Sequence, residues 1–553
     1  MLKELAKKSL QEVGIKVSDE ELEIPKEEFG DVAYPCFQLA KRLKKNPIEL
    51  AEELAKKIKP KGFIKKVESK GGYINFFLNW KKICKSKLSE IFEKVDLGKG
   101  KKVMVEYSQP NPVHPMHIGH ARTTFLGDSI ANILEFVGHE VIRANYMNDT
   151  GLQVAKLVTA YLKWAKSKKP EGKPDFWLWK LYVKFHEEAK KNLELEEEAR
   201  EVLRKFELDK DKEIIKIWNK IVRWCVKGFE ETYKRVGINF DVYFYETDVR
   251  EFGKKLVEKA LKNKIAFKSP EGTIVADLEK YRLGNVVLLR SDGTGLYITS
   301  DLGLTVEKFE RYKLDKSIWV VSSQQILHFK QLFKILELLG YKWAKNCHHL
   351  HFEHVVLPEG KMSSREGRAI MLDEVFEKLK ASAYKEVDKR NPKLDERIKK
   401  EIAEKIAIAA LKYNVLRIEP DDRITFDWKR MLQFEGNTGP YLQYSYVRCS
   451  SILKKAGKFR KKYEIKELNA YEKRLLRKIF QFNEIIKKSA IDLRTHYICN
   501  YAYELSSMFN EFYEKVPVLR SDEKGFRLTL VWVTGEIIKQ CLNLLGIDIV
   551  ERM

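Results

Sequence analysis

Between residues 100 and 150 the spacing of apolar positions changes twice, and each change predicts a different element. Lys102–Ser108 is rich in β-formers and predicts a strand. From Gly119 to Val137 the residues Ala121, Phe125, Ile133, Leu134 and Val137 recur at helical spacing, and Gly138 stands where a C′ glycine would. Val141–Met147 reads as another strand, so the unit is strand, turn, helix, strand. The turn, Pro112–Arg122, reads PVHPMHIGHAR and sets His117 and His120 around Ile118-Gly119 at the helix start. A helix N-terminus presents free N–H groups and a partial positive charge, which suits phosphate. Imidazoles at that end can donate to phosphate oxygens without a full charge. The glycine-rich GxGxxG and GxxxxGKS/T loops of common nucleotide sites are not what this turn carries.

Further along, Ile274–Leu278 and Val286–Leu289 predict short strands. Ile318–Ser322 predicts a buried strand leading into a helix over Gln324–Leu339, closed by Gly340. Val355–Leu357 predicts a further strand, ending in a loop over Pro358–Arg368. Strands alternating with helices over 100–370 predict an α/β fold with a doubly wound parallel, Rossmann-type sheet. The charge-dense stretch Lys184–Lys212 reads as a solvated helical insertion. Upstream, helical patterns cover Leu2–Val13 and Pro47–Ile58, the second opened by an Asn46 cap and an N1 proline. Two strands around Gly71-Gly72 in Phe63–Leu78 complete a small α+β module. From about 395 onward the pattern is helical: Ile402–Leu416, Pro440–Ala456, Ala470–Leu493, Tyr501–Lys515 and Phe526–Leu545. The expected domains are an α+β module at 1–97, a Rossmann-type domain at 98–425 with an insertion at about 152–255, and a helical bundle at 426–553.

Charge adds a partner class. The 553 residues carry 104 Lys+Arg against 80 Asp+Glu, a formal net charge of +24. That surplus suits a polyanion, most simply nucleic acid, although lysine and glutamate enrichment together also mark thermophile proteins. A basic run of Lys454, Lys455, Lys458, Arg460, Lys461 and Lys462 has Tyr441, Tyr444, Tyr446, Phe509, Phe512 and Tyr513 on adjoining predicted helices. Splayed bases stack on such rings while lysines neutralise phosphates, and at least half of these rings are expected in the core. Seven cysteines show no CxxC and no zinc spacing, which predicts reduced thiols in a cytoplasmic protein. His348, His349, His351 and His354 alternate with Leu350, Phe352 and Val355, the pattern of a strand with polar positions and not of a metal site. The start, charged from Lys3, lacks a signal-peptide core, and no apolar run reaches membrane-spanning length.

Three segments converge on one family. His117-Ile118-Gly119-His120 after a strand, Lys361-Met362-Ser363-Ser364-Arg365 in a loop after a late strand, and the basic helical C-terminus together resemble the class I aminoacyl-tRNA synthetases. VEYSQPN (105–111), NDTGLQ (148–153), LYITSDLG (296–303), SSQQILHF (322–329) and EGNTGPYLQYSYVR (435–448) are similar to the arginyl-tRNA synthetases among them. The likeness runs from GDVA at 30–33 to the final VERM.

The resemblance implies activation of L-arginine by ATP to arginyl-adenylate, with Mg2+ accompanying ATP, then transfer to the terminal adenosine of tRNA(Arg). The arginine carboxylate is already ionised, so no general base is needed. The difficulty is an anion attacking an anionic phosphate, which preorganised donors relieve. His117, His120, Lys361 and His114 are the expected catalytic residues. Gly119, His328, Met362, Ser363 and Ser364 join His117 and His120 at ATP. Guanidinium has five donors and no acceptor, and by resemblance Glu106, Asn111, Tyr297, Asp301 and Gln325 form its slot. Tyr441, Tyr444, Arg448, Phe509, Tyr513 and Met553 would face the anticodon loop, with Tyr73 and Asn75 of the N-terminal module toward the D-loop. A monomer, with no membrane partner, is expected.

The usual KMSKS loop has lysine in fourth place, where this chain has Ser364. Family members without that lysine often carry one just before the HIGH tetrapeptide, at the place held here by His114. His114, with Arg365 or Lys361, is therefore expected to supply the missing positive character. A synthetase-like tRNA-binding protein without catalysis, and a class I enzyme for another amino acid, stand as the alternatives.

Overall fold

The strand–turn–helix unit stands at the centre of a five-stranded, all-parallel sheet. The computed structural model describes residues 1–356, 370–458, 463, 465 and 467–552. The sheet strands are β4 (Lys102–Glu106), β5 (Glu140–Met147), β6 (Val242–Tyr245), β10 (Lys316–Ser322) and β11 (Cys347–Phe352), in the spatial order β11-β10-β4-β5-β6. The first of them in the chain is the middle one, so strand order reverses between β4 and β10. In open α/β sheets the crevice beyond the strand ends at such a point is where ligands bind.

The helix Ile118–Phe136 leaves that crevice and is buried along almost its whole length. It packs on the sheet, on the helix Glu396–Leu416 and on the last helix, Lys524–Leu544. Arg122, 1% exposed, secures it by donating to the carbonyls of Val415 (3.0 Å), Glu419 (2.7 Å), Pro420 (3.3 Å) and Asp422 (3.2 Å). Ser129 Oγ donates to Leu544 O at 2.9 Å, so the helical bundle rests directly on this helix.

Some expected elements moved. β6 falls inside the stretch read as insertion, which leaves a helical insertion between β5 and β6. The segments around Ile274 and Val286 are not in the parallel sheet. They form, with β7 (Ala266–Lys268), a separate antiparallel sheet of β7, β8 (Ile274–Asp277) and β9 (Asn285–Leu289). β12 (Val355–Val356) pairs with β13 (Ile424–Thr425) in a separate two-stranded sheet. The helix expected over Ala470–Leu493 breaks into Ala470–Ile479 and Phe482–Asp492.

The N-terminal module is a three-stranded antiparallel sheet, β1 (Val32–Pro35), β3 (Tyr73–Leu78) and β2 (Ile64–Lys70) in that order, flanked by helices. Gly71 and Gly72 both take positive φ (+59° and +84°), which a two-residue hairpin turn requires. Asn46 caps the helix Pro47–Lys57 by accepting from Ile48 N–H at 2.9 Å. All seven cysteines are free thiols, six buried and Cys347 partly so. Among the described residues no helix is long and apolar enough to cross a membrane.

Candidate active site

His117 is the N-cap of the buried helix, and its Nδ1 accepts from Gly119 N–H at 3.1 Å. His120 Nδ1 accepts in return from His117 N–H at 3.1 Å. The tetrapeptide is thus a capping box built from two imidazoles. With both Nδ1 atoms engaged as acceptors, each neutral ring carries its proton on Nε2. Burial, aided by the neighbouring histidines, pulls His117 down to about 3 and His120 well below the usual range. The ring centres lie 3.9 Å apart with the planes tilted by 34°, and His114, 7% exposed, lies 5.7 Å from each.

The turn lines a cleft of about 700 Å³ with Gln109, Thr123, Ser322 and Val356. On its other side the turn is fastened to Ile370–Leu372. Ile118 N–H donates to Ile370 O (3.0 Å) and Leu372 N–H to Met116 O (2.9 Å). Lys361, Met362, Ser363, Ser364 and Arg365 themselves lie outside the described residues.

Toward β5 and β6 the crevice turns acidic. Asp301 lies one turn into the helix Tyr297–Tyr312, on the same face as the exposed Tyr297. Its Oδ2 bonds His328 Nε2 at 2.6 Å, so His328, expected at ATP, is paired with Asp301, expected in the arginine slot. Glu106 ends β4 fully buried, ion-paired with Lys308 and accepting from Gln109 Nε2 at 2.7 Å. Asn111 and Gln325 are exposed, Gln325 as the N-cap of the helix Ile326–Leu338.

Residue-type reasoning missed Glu246, Tyr146, Gln109 and Lys308. Glu246 opens the helix after β6 and accepts from Ser300 Oγ at 3.2 Å. Burial, reinforced by Asp301, raises it to about 7 against the opposing pull of Arg250. The Tyr146 hydroxyl is buried and has no hydrogen-bond partner among the described residues. It is raised by burial, then by Asp301, Glu246, Glu106 and Asp149. An acid at the first helical position after a parallel strand was a usable signal for Glu246; the others are joined only by the fold.

In the helical bundle, Arg448 donates to Tyr444 OH (2.7 Å) and Asn510 Oδ1 (2.9 Å) and lies over the rings of Tyr444 and Tyr513. Tyr441 OH accepts from Asn510 Nδ2 at 2.9 Å. Tyr441 and Tyr444 also line a cleft of about 430 Å³ with Phe434 and Arg390. Two expected contact residues are corrected. Phe509 is 0% exposed because its helix face packs inward, and Asn75 is 4% exposed because β3 is the middle strand of its sheet. Tyr73 is half-buried, edge-on to the exposed Phe37 at 5.3 Å. Met553 lies outside the described residues.

A parallel sheet with this strand order and a paired-histidine turn at its crevice defines a class I aminoacyl-tRNA synthetase catalytic domain. Family comparison agrees: residues 83–428 match "tRNA synthetases class I (R), catalytic domain", 1–78 the "Arginyl tRNA synthetase N terminal domain", and 442–553 the "DALR anticodon binding domain". The chain is 38% identical over 541 residues to the arginine–tRNA ligase of Clostridium perfringens, covering 96% of this chain and 95% of that one. It is 37% identical to that of Halothermothrix orenii, covering 100% and 99%. The arginyl-tRNA synthetase structure from Thermus thermophilus superposes with a TM-score of 0.84 at 28% identity, over 100% of this chain and 99% of that one. The chain belongs to the arginyl-tRNA synthetase family.

Proposed function

We propose that this arginine–tRNA ligase works by holding ATP on the histidine turn and the arginine side chain in the acidic crevice beside it. The arginine carboxylate then attacks the α-phosphate, a bond to pyrophosphate breaks, and arginyl-adenylate forms. In the second step a ribose hydroxyl of the tRNA terminal adenosine takes the arginyl group and AMP leaves. The observation that carries the reading is the His117–His120 capping box, which fixes both Nε2–H groups as uncharged donors at a helix N-terminus. Asp301 and Glu246 supply the negative charge that a guanidinium requires, since the charge of Glu106 is already matched by Lys308.

Magnesium enters with the ATP phosphates. When bound it neutralises phosphate charge. Lys361 and Ser363 hold the departing pyrophosphate. His114, its ring 5.7 Å from those of both cleft histidines, supplies the positive character that Ser364 does not; an unimpaired His114→Ala enzyme would remove it from that role. The 1–97 module reads the tRNA body through Tyr73, and the 426–553 bundle reads the anticodon loop through Tyr441, Tyr444, Arg448, Tyr513 and Met553. The protein acts as a cytoplasmic monomer. Charging of total tRNA with each of the twenty amino acids tests the reading: arginine alone should be esterified, and another preferred amino acid would refute it.

A further inference from the structure

Ser108 and Gln109, immediately after Glu106-Tyr107, both have positive φ, +79° and +50°. Non-glycine residues rarely adopt that region, and two in succession persist only where surrounding structure over-determines them. Here the surrounding structure is a closed, buried chain of hydrogen bonds. Asn145 Oδ1 accepts from Gln109 N–H (3.0 Å), and Asn145 Nδ2 donates to Tyr233 OH (3.0 Å). The Tyr233 hydroxyl meets Ser108 Oγ at 2.7 Å, and Ser108 Oγ meets Thr124 Oγ1 at 2.8 Å. Ser108 N–H donates to Thr123 Oγ1 at 3.2 Å, which donates in turn to Val320 O at 2.8 Å. Tyr233, Asn145, Ser108 and Thr124 are all 2% exposed or less.

The Tyr233 oxygen accepts from Asn145, and in its contact with Ser108, as in that of Ser108 with Thr124, either hydroxyl can be the donor. Each left-handed residue is thereby gripped, Ser108 through its side chain and Gln109 through its backbone. The consequence is the placement of Gln109, which lines the cleft and donates to Glu106. Tyr233 reaches this turn from outside the parallel sheet, near the end of the insertion's 24-residue helix, Lys212–Arg235. The same helix touches neighbouring turns as well: Trp218 Nε1 donates to Asp149 O (2.7 Å) and Cys225 Sγ to Pro112 O (3.0 Å).

We propose that Tyr233 is a positioning residue for arginine activation, its hydroxyl holding the left-handed Ser108–Gln109 turn so that Gln109 and Glu106 keep their places in the crevice. The insertion is then part of the active-site frame. The inference rests on the ligase reading above.

The test is arginine-dependent ATP–pyrophosphate exchange by the full-length protein with tRNA(Arg) present, for wild type, Tyr233→Phe, Ser108→Ala and the double variant. Misplacement of a reacting group by about 1 Å costs up to about 10²-fold in rate. Tyr233→Phe and Ser108→Ala are each expected to lower kcat by about tenfold or more, with KM for ATP within about twofold of wild type. The double variant should be no worse than about twofold below the poorer single, because both break one chain of bonds. An unchanged kcat in both singles, multiplying losses in the double, or losses matching the unfolded fraction by circular dichroism would each overturn the inference. Wild-type protein without arginine-dependent exchange would overturn the ligase reading and this inference with it; active wild type beside unimpaired single variants would overturn this inference alone.

Discussion

The backbone N–H of His117 donates to Nδ1 of His120 at 3.1 Å, and this bond decides how the His120 ring meets a ligand. It removes Nδ1 of His120 from solvent chemistry just as Gly119 N–H removes that of His117. Cap and proposed catalytic donor are the same side chain.

The two roles separate in His117→Asn. Asparagine is among the best N-caps, so the thermal midpoint near pH 7.5 should hold while kcat for arginine activation falls by about 10²-fold. The pH dependence follows from the depressed His117 value of about 3. Folded His117 stays neutral while the unfolded chain takes up a proton near 6.5. Its contribution is therefore fully present above about 6.5 and is lost as pH falls toward 3. Melting curves from pH 7.5 to 4.5 should drop less steeply for His117→Asn than for wild type; parallel curves would contradict the neutral assignment.

Glu246 gives the arginine site its own pH dependence. With its carboxyl raised to about 7, Glu246 is an anion above that pH and neutral below it. KM for arginine should rise as pH falls from 8 to 6. Glu246→Gln should flatten that profile at a KM about tenfold above wild type, the cost of one charge-assisted hydrogen bond. A variant that kept the wild-type profile would assign the titration elsewhere.

Asp301→Asn should raise KM for arginine about 100-fold, because a charged partner of the guanidinium is lost. His328→Ala removes only the group that orients Asp301 at 2.6 Å, so its arginine KM should rise less, about tenfold, with ATP KM unchanged. If His328→Ala instead raised the KM for ATP alone, His328 would belong to the nucleotide, as the sequence pattern suggested.

Arg122 tests the frame and not the chemistry. Five carbonyls converge on its guanidinium in a site 1% exposed. Arg122→Met strands them, a loss of about 3 kcal/mol, and should lower the thermal midpoint by about 5 °C. Arg122→Lys should recover only part, since an ammonium cannot reproduce the fork.

Local signals survived translation into structure best. The β4–turn–helix unit, the Asn46 cap and the Gly71-Gly72 hairpin each rest on a few adjacent residues, and each formed as read. Val242–Tyr245 escaped notice because four mostly apolar residues between two helices carry no period of their own. Lys308 and Tyr233 escaped because their partners, Glu106 and Ser108, are 202 and 125 residues away. Phe509 shows the converse error. An aromatic on a helix near basic residues is compatible with either face, and only packing against neighbouring helices chose the inner one.

The central claim is that the neutral His117–His120 pair faces ATP while an acidic crevice selects a cation. Citrulline, which matches arginine in shape but lacks its charge, tests that claim most directly. ATP–pyrophosphate exchange should favour arginine over citrulline by about 10⁴-fold in kcat/KM, the discrimination expected of a site whose buried polar groups go unpaired with the wrong substrate. Comparable values for the two would contradict it.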